Sequence, residues 1–375
     1  MIKKTLKILK RIMIGILSIV AAVTLVGVTF VNVSPQFGAG SSEASLDRIR
    51  KSPNFLNGSF KNQEKTLQNT GFKWSTIPKF FTNGDNKVPS SKLPQVKLSK
   101  AYFNNKPQQP RITWFGHSTL FVEMEGMNIF IDPMLGEVPA PHPLLGNPRF
   151  NKELPISIEN LPEIDLVLIS HDHYDHLDYG SIQQLKNKVK QFYVPLGIKA
   201  HLTKWGIDAT KIKEFDWWDS KTLNNIEFVS TPARHFSGRG FTRNNTLWTS
   251  WVLKSENNSI FFSGDSGYGK HFKEIGKKYG PFDFAMMECG QYNEQWAHIH
   301  MTPEETIQAS VDIQAKTMMP IHWGAFKLAL HEWTDPIERS LKKAQELNVQ
   351  MATPIIGEAI VVDSNYPSSK WWIKN

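Results

Sequence analysis

A chain of 375 residues can hold one large domain or two ordinary ones, and 40% hydrophobic with 21% charged residues is typical of a globular protein. The one cysteine, Cys289, excludes an intrachain disulfide and a cysteine-based zinc site. The net charge of +8 includes five basic residues within the first eleven positions, so the rest of the chain is only mildly basic. Because tracking a phosphate backbone requires a strongly basic surface, we expect no nucleic-acid partner.

The amino-terminal segment predicts a membrane anchor. Residues 12–31 contain no charged side chain, and a helix of that length spans roughly 30 Å, the thickness of a bilayer core. The basic end, residues 1–11, predicts a cytoplasmic amino terminus and an exported remainder, which places the domain on the extracytoplasmic side. The alternative is a signal peptide cleaved near Gly38-Ala39-Gly40, which would leave a secreted or periplasmic protein.

Residues 32–104 are rich in Pro, Asn, Ser, Gly and Lys, with little periodicity. They predict a leader that wraps the domain or spaces it from the membrane.

From residue 105 to 375 the pattern changes to one domain in which strand-like runs alternate with helical segments, which predicts α/β layers. The predicted strands are 111–115, 119–124, 129–132, 166–170, 226–231, 247–254, 259–263, 283–288 and 317–321.

Helices are predicted near 178–188 and 197–205, and two more carry sequence signatures of a helix start. Residues 302–305 (Thr-Pro-Glu-Glu) form a predicted capping box with proline at the first helical position. Residues 335–338 (Asp-Pro-Ile-Glu) have the same form and predict a second capping box.

Residues 171–176, with the sequence His-Asp-His-Tyr-Asp-His, follow the apolar run 164–169 directly. Imidazole and carboxylate groups are ligands that suit zinc, and also iron or manganese. His171 and His173, two positions apart on a loop, can bind one ion. Asp175 and His176 point elsewhere and can bind a second, so the segment predicts half of two metal sites.

Four further residues follow predicted strands or precede a predicted helix, where a rigid scaffold presents ligands well. They are His235, Asp265, His300 and His322. His235 would complete the first site, His322 the second, and the carboxylate of Asp265 could bridge both ions, for which we expect two Zn²⁺. Taken singly, each histidine could be an ordinary core residue, and Asp265 could cap a turn after Gly264. The six-residue cluster is what favours metal.

These residues resemble the metallo-β-lactamase superfamily. Its H-x-H-x-D-H signature matches residues 171–176, its later ligands match His235, Asp265 and His322, and the resemblance covers roughly residues 105–365. The resemblance implies an αββα sandwich, a mixed α/β fold, with a dinuclear site along one edge of the sheets. Preceded by one transmembrane helix, this is the architecture we expect.

Within the superfamily the chain is similar to N-acylphosphatidylethanolamine-hydrolysing phospholipases D. The stretches that carry this likeness are 114–120, 131–134, 216–218 and 321–324. The resemblance implies phosphodiester hydrolysis of N-acylphosphatidylethanolamine-like phospholipids at a membrane. The amino-terminal membrane segment is a departure from the animal enzymes of this family, and it leaves the substrate of this chain open.

The resemblance also implies roles for single residues. Asp175 and Asp265 would orient the metal-activated water and accept its proton, and His300 would bind the phosphoryl group or protonate the leaving alkoxide. Asp132 and His117 would hold ligating imidazoles in one tautomer, although turn or core roles are equally open for both. The competing functions are another hydrolase of this fold, a lactonase or a nuclease, and a non-catalytic, membrane-tethered metal-binding protein.

Overall fold

A computed structural model of the chain describes residues 2–71, 74–80 and 86–374. Helix α1 runs from Ile2 to Val33, and none of its residues is buried. It is long and apolar enough to cross a membrane, with a mean hydropathy of 2.5 over its most apolar window. It begins earlier than the predicted span because residues 2–11 contain neither proline nor glycine to stop a helix. The protein therefore has a candidate membrane anchor.

The remaining elements follow in chain order. The strands are β1 Phe55–Leu56, β2 Ser59–Phe60, β3 Arg111–Trp114, β4 Leu120–Met124, β5 Met127–Ile131, β6 Ile164–Leu168, β7 Val189–Pro195, β8 Ile212–Phe215, β9 Ser220–Leu223, β10 Ile226–Thr231, β11 Ser250–Lys254, β12 Ser259–Phe262, β13 Phe282–Glu288, β14 Ala315–Ile321, β15 Gln350–Met351 and β16 Ala359–Val361. The helices after α1 are α2 Glu43–Lys51, α3 Ile77–Phe80, α4 Tyr179–Leu185, α5 Lys199–Lys204, α6 His271–Tyr279, α7 Pro303–Asp312 and α8 Asp335–Leu347.

Two seven-stranded sheets form the centre of the fold, in the orders β16-β3-β4-β5-β6-β7-β8 and β9-β10-β11-β12-β13-β14-β15. One apolar cluster lies between the sheets, a second lies between the first sheet and α4 and α5, and a third lies between the second sheet and α6, α7 and α8. The separate clusters arise because successive side chains of a strand point to opposite faces of its sheet. In β4, for example, Leu120 and Val122 face the other sheet, whereas Phe121 faces the helices. The predicted αββα sandwich is confirmed.

The strand pairing brings several loops to one edge. Strands β5, β6 and β7 pair in parallel in the first sheet, as do β12, β13 and β14 in the second. Because the carboxyl ends of parallel strands meet at one edge of a sheet, the loops after β5, β6, β12 and β14 can converge. The segments that carry Asp132, His171, Asp265 and His322 are these loops.

Two predictions about local structure have different outcomes. The first capping box forms: the Thr302 side chain accepts from the backbone N–H of Glu305, and the Glu305 side chain accepts from Thr302 in return. The second is wrong, because Thr334 is the residue before α8 and no side chain caps it. Asp335 lies inside the helix, where its carboxylate accepts from the Tyr292 hydroxyl and pairs with Arg339.

Candidate metal centre

The six-residue cluster lies on the loop between β6 and α4. Asp178 closes this loop by accepting a hydrogen bond from the backbone of Ser181, 2.7 Å away, at the start of α4. Inside the loop, the backbone N–H of His176 donates to the carbonyl of His173 at 3.1 Å. This turn separates the side chains of the cluster into two groups that lie side by side.

Three imidazoles form the first group. Nε2 of His171 lies 2.9 Å from Nδ1 of His173, and Nε2 of His235 lies 3.2 Å from the same Nδ1. Zinc binds imidazole nitrogens at about 2.0–2.1 Å, so three nitrogens around one ion lie close to one another in this way. The structure therefore brings together the three residues predicted for the first site.

The second group contains Asp175, His176 and His322, and also His117. Oδ2 of Asp175 lies 3.4 Å from Nε2 of His176 and 4.0 Å from Nε2 of His322. These are the residues predicted for the second site. His117 was predicted to hold a ligating imidazole in one tautomer. Its ring centroid lies 4.1 Å from that of His322, whereas its Nε2 lies 2.8 Å from Oδ2 of Asp175, so its hydrogen bond goes to a carboxylate.

Asp265 lies between the two groups. Its Oδ2 is 3.2 Å from Nε2 of His176 and 3.7 Å from Nε2 of His171, and its Oδ1 is 3.1 Å from Nδ1 of His322. Gly264 allows this approach: its φ is 57°, and a Cβ atom there would lie 2.6 Å from the carbonyl oxygen of Thr249. The placement fits a carboxylate that bridges two ions.

Hydrogen bonds behind the ligands fix which nitrogen faces the centre. Nδ1 of His176 lies 2.8 Å from Oδ2 of Asp132, and Nδ1 of His235 lies 2.8 Å from the carbonyl oxygen of Ile299. Each contact leaves Nε2 for the centre, which is how metal-ligating histidines are normally held. Asp132 is therefore placed as its predicted role requires.

A residue of the segment 32–104 contacts the backbone of His235. Asn62 accepts from the backbone N–H of His235 at 3.0 Å and donates to its carbonyl at 2.8 Å. Sequence reasoning missed this contact because no pattern in residues 32–104 marks Asn62.

Two buried atoms make the case for a cation. Nε2 of His176 and Oδ1 of Asp265 are both buried and neither makes a hydrogen bond. An unsatisfied buried polar atom is costly, whereas a metal ion would satisfy both. The donor set, imidazoles with two carboxylates, also suits Zn²⁺, iron or manganese. The residues present therefore fit a metal centre.

The electrostatics agree with metal binding. Burial lowers the pKa of His117 and of His173 to about 4, which keeps both imidazoles neutral, the form that binds metal. Burial alone would also lower the pKa of His176, but Asp265 and Asp175 raise it well above its ordinary value. Burial raises the pKa of Asp265 to about 6, with His176 acting in the opposite direction. The two carboxylates thus stabilise positive charge at this place, which is the electrostatic condition for binding a cation.

His300 faces both groups but is held by a different partner. Its ring centroid lies 5.0 Å from that of His235 and 5.3 Å from that of His322. Its Nδ1 lies 2.5 Å from Oε1 of Glu288, a fully buried carboxyl whose pKa is raised by burial. Sequence reasoning missed Glu288, although a carboxylate at the end of an apolar strand, 282–288, is a detectable feature.

A cleft of about 300 Å³ opens onto the centre. Its floor contains side chains of the centre, namely His173, Asp175, Asp265, His300 and His322. Its walls combine four apolar side chains, Phe236, Trp296, Ile299 and Leu328, with the amides of Gln68 and Gln291. Pockets of this size hold small organic ligands, and their apolar walls bind hydrocarbon.

Comparison with known proteins places the chain. The family described as "Beta-lactamase superfamily domain" matches residues 127–323, more than half of the chain. The chain belongs to the beta-lactamase superfamily. An uncharacterised protein of Mycobacterium tuberculosis is 35% identical over 89% of this chain and 91% of its own length. N-acyl-phosphatidylethanolamine-hydrolyzing phospholipase D 1 of Caenorhabditis elegans is 33% identical over 66% of this chain and 73% of its own length.

Among solved structures, the metallo hydrolase Igni18 of Ignicoccus hospitalis matches 69% of this chain and all of its own, with a TM-score of 0.52. At 21% sequence identity this likeness supports the fold alone. The protein is therefore a metallo-hydrolase of the beta-lactamase fold, with homologues named as phospholipases D.

We expect His173→Ala to lower metal content and to abolish hydrolysis together, because the first group would lose one of three nitrogens. Elemental analysis of the purified full-length protein measures the metal. The matched control is His331→Ala, a partly exposed histidine whose Nε2 accepts from the backbone of Gln291 outside both groups. Full activity of His173→Ala would contradict the assignment, as would equal metal loss in the control.

We expect Asp132→Asn to weaken metal affinity by about 10–100-fold, the usual effect of losing a carboxylate behind a ligating histidine. Asparagine tolerates the left-handed backbone of Asp132, whose φ is 41°, so the fold should survive. The control is Asp363→Asn, an exposed aspartate with a φ of 58°. Competition with a chelator measures the affinity, and equal affinities of the two variants would refute this role for Asp132.

Proposed function

We propose that the chain is a phosphodiesterase of the phospholipase D type, which hydrolyses N-acylphosphatidylethanolamine-like phospholipids at a membrane. The observation that carries the proposal is the position of His300. His300 lies beside both ligand groups, has Glu288 as its own hydrogen-bond partner, and faces a cleft with apolar side chains in its walls. The named homologue from Caenorhabditis elegans supports the same chemistry.

The proposed centre holds two zinc ions. His171, His173 and His235 would bind one ion, Asp175, His176 and His322 the other, and Asp265 would bridge them. When bound, the ions would lower the pKa of a water molecule between them and neutralise charge on the phosphoryl oxygens. Burial lowers the pKa of His171 and of His235 well below the ordinary value, which keeps these two imidazoles neutral, and Asp265 lies between the two groups; both observations support this assignment.

The side chains would guide the reaction as follows. Asp175 and Asp265 accept hydrogen bonds from the attacking water, and one of them takes its proton. The water oxygen forms a bond to phosphorus while the bond from phosphorus to the headgroup oxygen breaks. Because Nδ1 of His300 contacts Glu288, its Nε2 is the nitrogen that can protonate the departing alkoxide. The products are a phosphatidic acid and an N-acylethanolamine.

The apolar walls of the cleft suit the acyl chains of such a substrate. Phe236 and Trp296 lie on the same cleft as His173 and His300, so an apolar chain could lie beside a phosphate held at the centre. A nuclease would instead need a strongly basic surface, and the chain is only mildly basic beyond its first eleven residues.

We further propose that α1 is retained as an anchor, with the catalytic domain on the extracytoplasmic side. The basic residues that precede the charge-free run favour this orientation. Retention is supported by the segment that follows α1. Nε1 of Trp205 donates to the carbonyl of Pro35 at 2.7 Å, and Lys204 donates to that of Gly38 at 2.6 Å. Cleavage near residues 38–40 would remove these contacts from the domain.

The proposal predicts which substrate turns over. The zinc-loaded full-length protein, reconstituted in vesicles, should hydrolyse N-acylphosphatidylethanolamine and release an N-acylethanolamine, measured by mass spectrometry. Phosphatidylcholine, a lactone and single-stranded RNA serve as competing substrates. Turnover of the lactone alone or of the RNA alone would replace the proposal with a lactonase or a nuclease, and no turnover of any substrate at full metal content would favour a non-catalytic metal-binding protein.

His300→Ala should lower kcat by about 10²–10⁴-fold, the range that positioned acid catalysis contributes, with metal content unchanged. The matched control is His298→Ala, two residues away, whose Nδ1 accepts from the backbone of Leu67 at 3.1 Å. Steady-state assays on vesicles, paired with elemental analysis, separate the two effects. Metal loss in His300→Ala would identify this residue as a ligand instead.

A further inference from the structure

Three exposed apolar side chains lie on two loops of the domain. Leu144 and Leu145 are 87% and 62% exposed, and Phe241 is 83% exposed. Scattered apolar residues are normal on a protein surface, but a group of them on adjacent loops indicates a contact. The loop with the two leucines, residues 138–147, contains no Lys, Arg, Asp or Glu.

Both loops lie beside the carboxyl-terminal end of α1. The ring of Phe30 lies 6.2 Å from that of His142, the residue that precedes the short 3-10 helix Pro143–Leu145. In the other loop, a Cβ atom added at Gly240 would lie 3.8 Å from the side chain of Val31. Val31 and Phe241 also line the same cavity. The loop of Leu144 and Leu145 (the leucine loop) and the loop of Gly240 and Phe241 (the phenylalanine loop) therefore flank the end of the candidate anchor.

The segment after α1 fixes this arrangement. The backbone N–H of Ala39 donates to Nδ1 of His201 at 3.0 Å, and Nε of Arg239 donates to the carbonyl of Gln36 at 2.7 Å. Together with the contacts of Pro35 and Gly38 to α5, these bonds attach residues 35–39 to the domain. The loop of Phe241, which follows Arg239, therefore cannot move away from α1 without breaking the bond from Arg239 to Gln36. The leucine loop is in contact with α1 through the rings of His142 and Phe30.

The uncharged, mainly apolar run 12–31 of α1, which must lie within the hydrocarbon if the helix spans a bilayer, ends at Val31, and the polar residue Asn32 follows it. Val31 lies at the level of the two loops. We propose that Leu144, Leu145 and Phe241 form a membrane-contacting surface, which inserts into the headgroup region of the bilayer that α1 crosses.

This surface would set the distance from the candidate metal centre to the lipid. Arg239 holds the segment after α1, and its Nη1 also donates to the carbonyl of Asp172 and, at 2.7 Å, to that of Leu177. The hydroxyl of Tyr174 donates to the carbonyl of Arg239. The loop that carries the candidate ligands is thereby attached to the element that leaves the membrane, and the inserted side chains would prevent the domain from pivoting about α1.

The test places an environment-sensitive fluorophore on Leu144→Cys and, separately, on Phe241→Cys in the full-length protein. The native thiol, Cys289, is fully buried, and labelling of the parent protein checks that it stays unmodified. The proteins are reconstituted in phosphatidylcholine and phosphatidylglycerol vesicles. We expect emission to shift to shorter wavelength, strong quenching by lipid with a nitroxide near its headgroup, and weak quenching by aqueous iodide.

Two control positions make the result decisive. Val311→Cys lies on α7, in the helical layer on the opposite face of the sandwich from α5, and its parent side chain is 43% exposed. Val23→Cys lies within α1 and reports insertion of the anchor. We expect iodide to quench Val311→Cys and lipid nitroxide to quench Val23→Cys.

The proposal is overturned if Leu144→Cys and Phe241→Cys respond like Val311→Cys while Val23→Cys is quenched by lipid, because α1 would then be the membrane contact by itself. Protection of the two loop positions from iodide without quenching by lipid would indicate a second protein copy instead and would also overturn it. The same holds if Val23→Cys is not quenched by lipid, since the surface is defined by its level relative to α1. None of these measurements depends on which substrate is hydrolysed.

Discussion

The carboxylate of Asp265 is buried at the point where two groups of imidazoles meet, and the arrangement around it depends on how that charge is balanced. A buried carboxylate is stable only beside positive charge or several hydrogen-bond donors. Here Oδ1 makes no hydrogen bond and lies 3.1 Å from Nδ1 of His322, and Oδ2 lies 3.2 Å from Nε2 of His176. A divalent cation on each side would balance the charge, which is why we regard the site as a metal centre and not as a polar core.

The two sheets of the sandwich each contribute side chains to this centre. The cluster 171–176 comes from the first sheet, whereas His235, Asp265 and His322 come from the second, so the centre lies at the seam between them. The apolar core between the sheets sets the distance across this seam. At the seam, the indole nitrogen of Trp251 donates to the carbonyl of Ile169 at 3.0 Å and connects β11 to the loop before the cluster.

Three residues at the centre have a left-handed backbone. They are His117, Asp132 and His322, with φ values of 54°, 41° and 68°. Such conformations cost about 1–3 kcal/mol each and persist where surrounding contacts enforce them.

The membrane and the centre are connected through one side chain. Arg239 contacts the segment after α1 on one side and the loop of the candidate ligands on the other, and its guanidinium lies 4.1 Å from the ring centroid of Tyr174. A substrate that resides in a bilayer must be met at a defined depth, so a fixed geometry between anchor and centre would serve the proposed reaction. The single residue most responsible for that geometry has no pattern in the sequence that marks it.

The fold and most candidate ligands could be predicted from the sequence because the patterns that indicate them lie within short stretches of the chain. Short continuous apolar runs predict β4 and β12, the spacing within 171–176 predicts two ligand groups, and the charge-free run predicts α1. The sequence missed strand β7, which begins with charged and polar residues, the short edge strands β8, β9, β15 and β16, and the two-residue strands β1 and β2, because these segments show too little periodicity.

Only the tertiary structure decided the contacts between residues far apart in the chain. These include Glu288 behind His300, Asn62 on the backbone of His235, His117 on Asp175, and Arg239 on the segment after α1. The sequence by itself determined the chemical types at the centre and the presence of a candidate anchor, since both follow from composition within short windows. Which atom faces which neighbour depends on the packing of two sheets and a leader, and no short window of sequence contains that information.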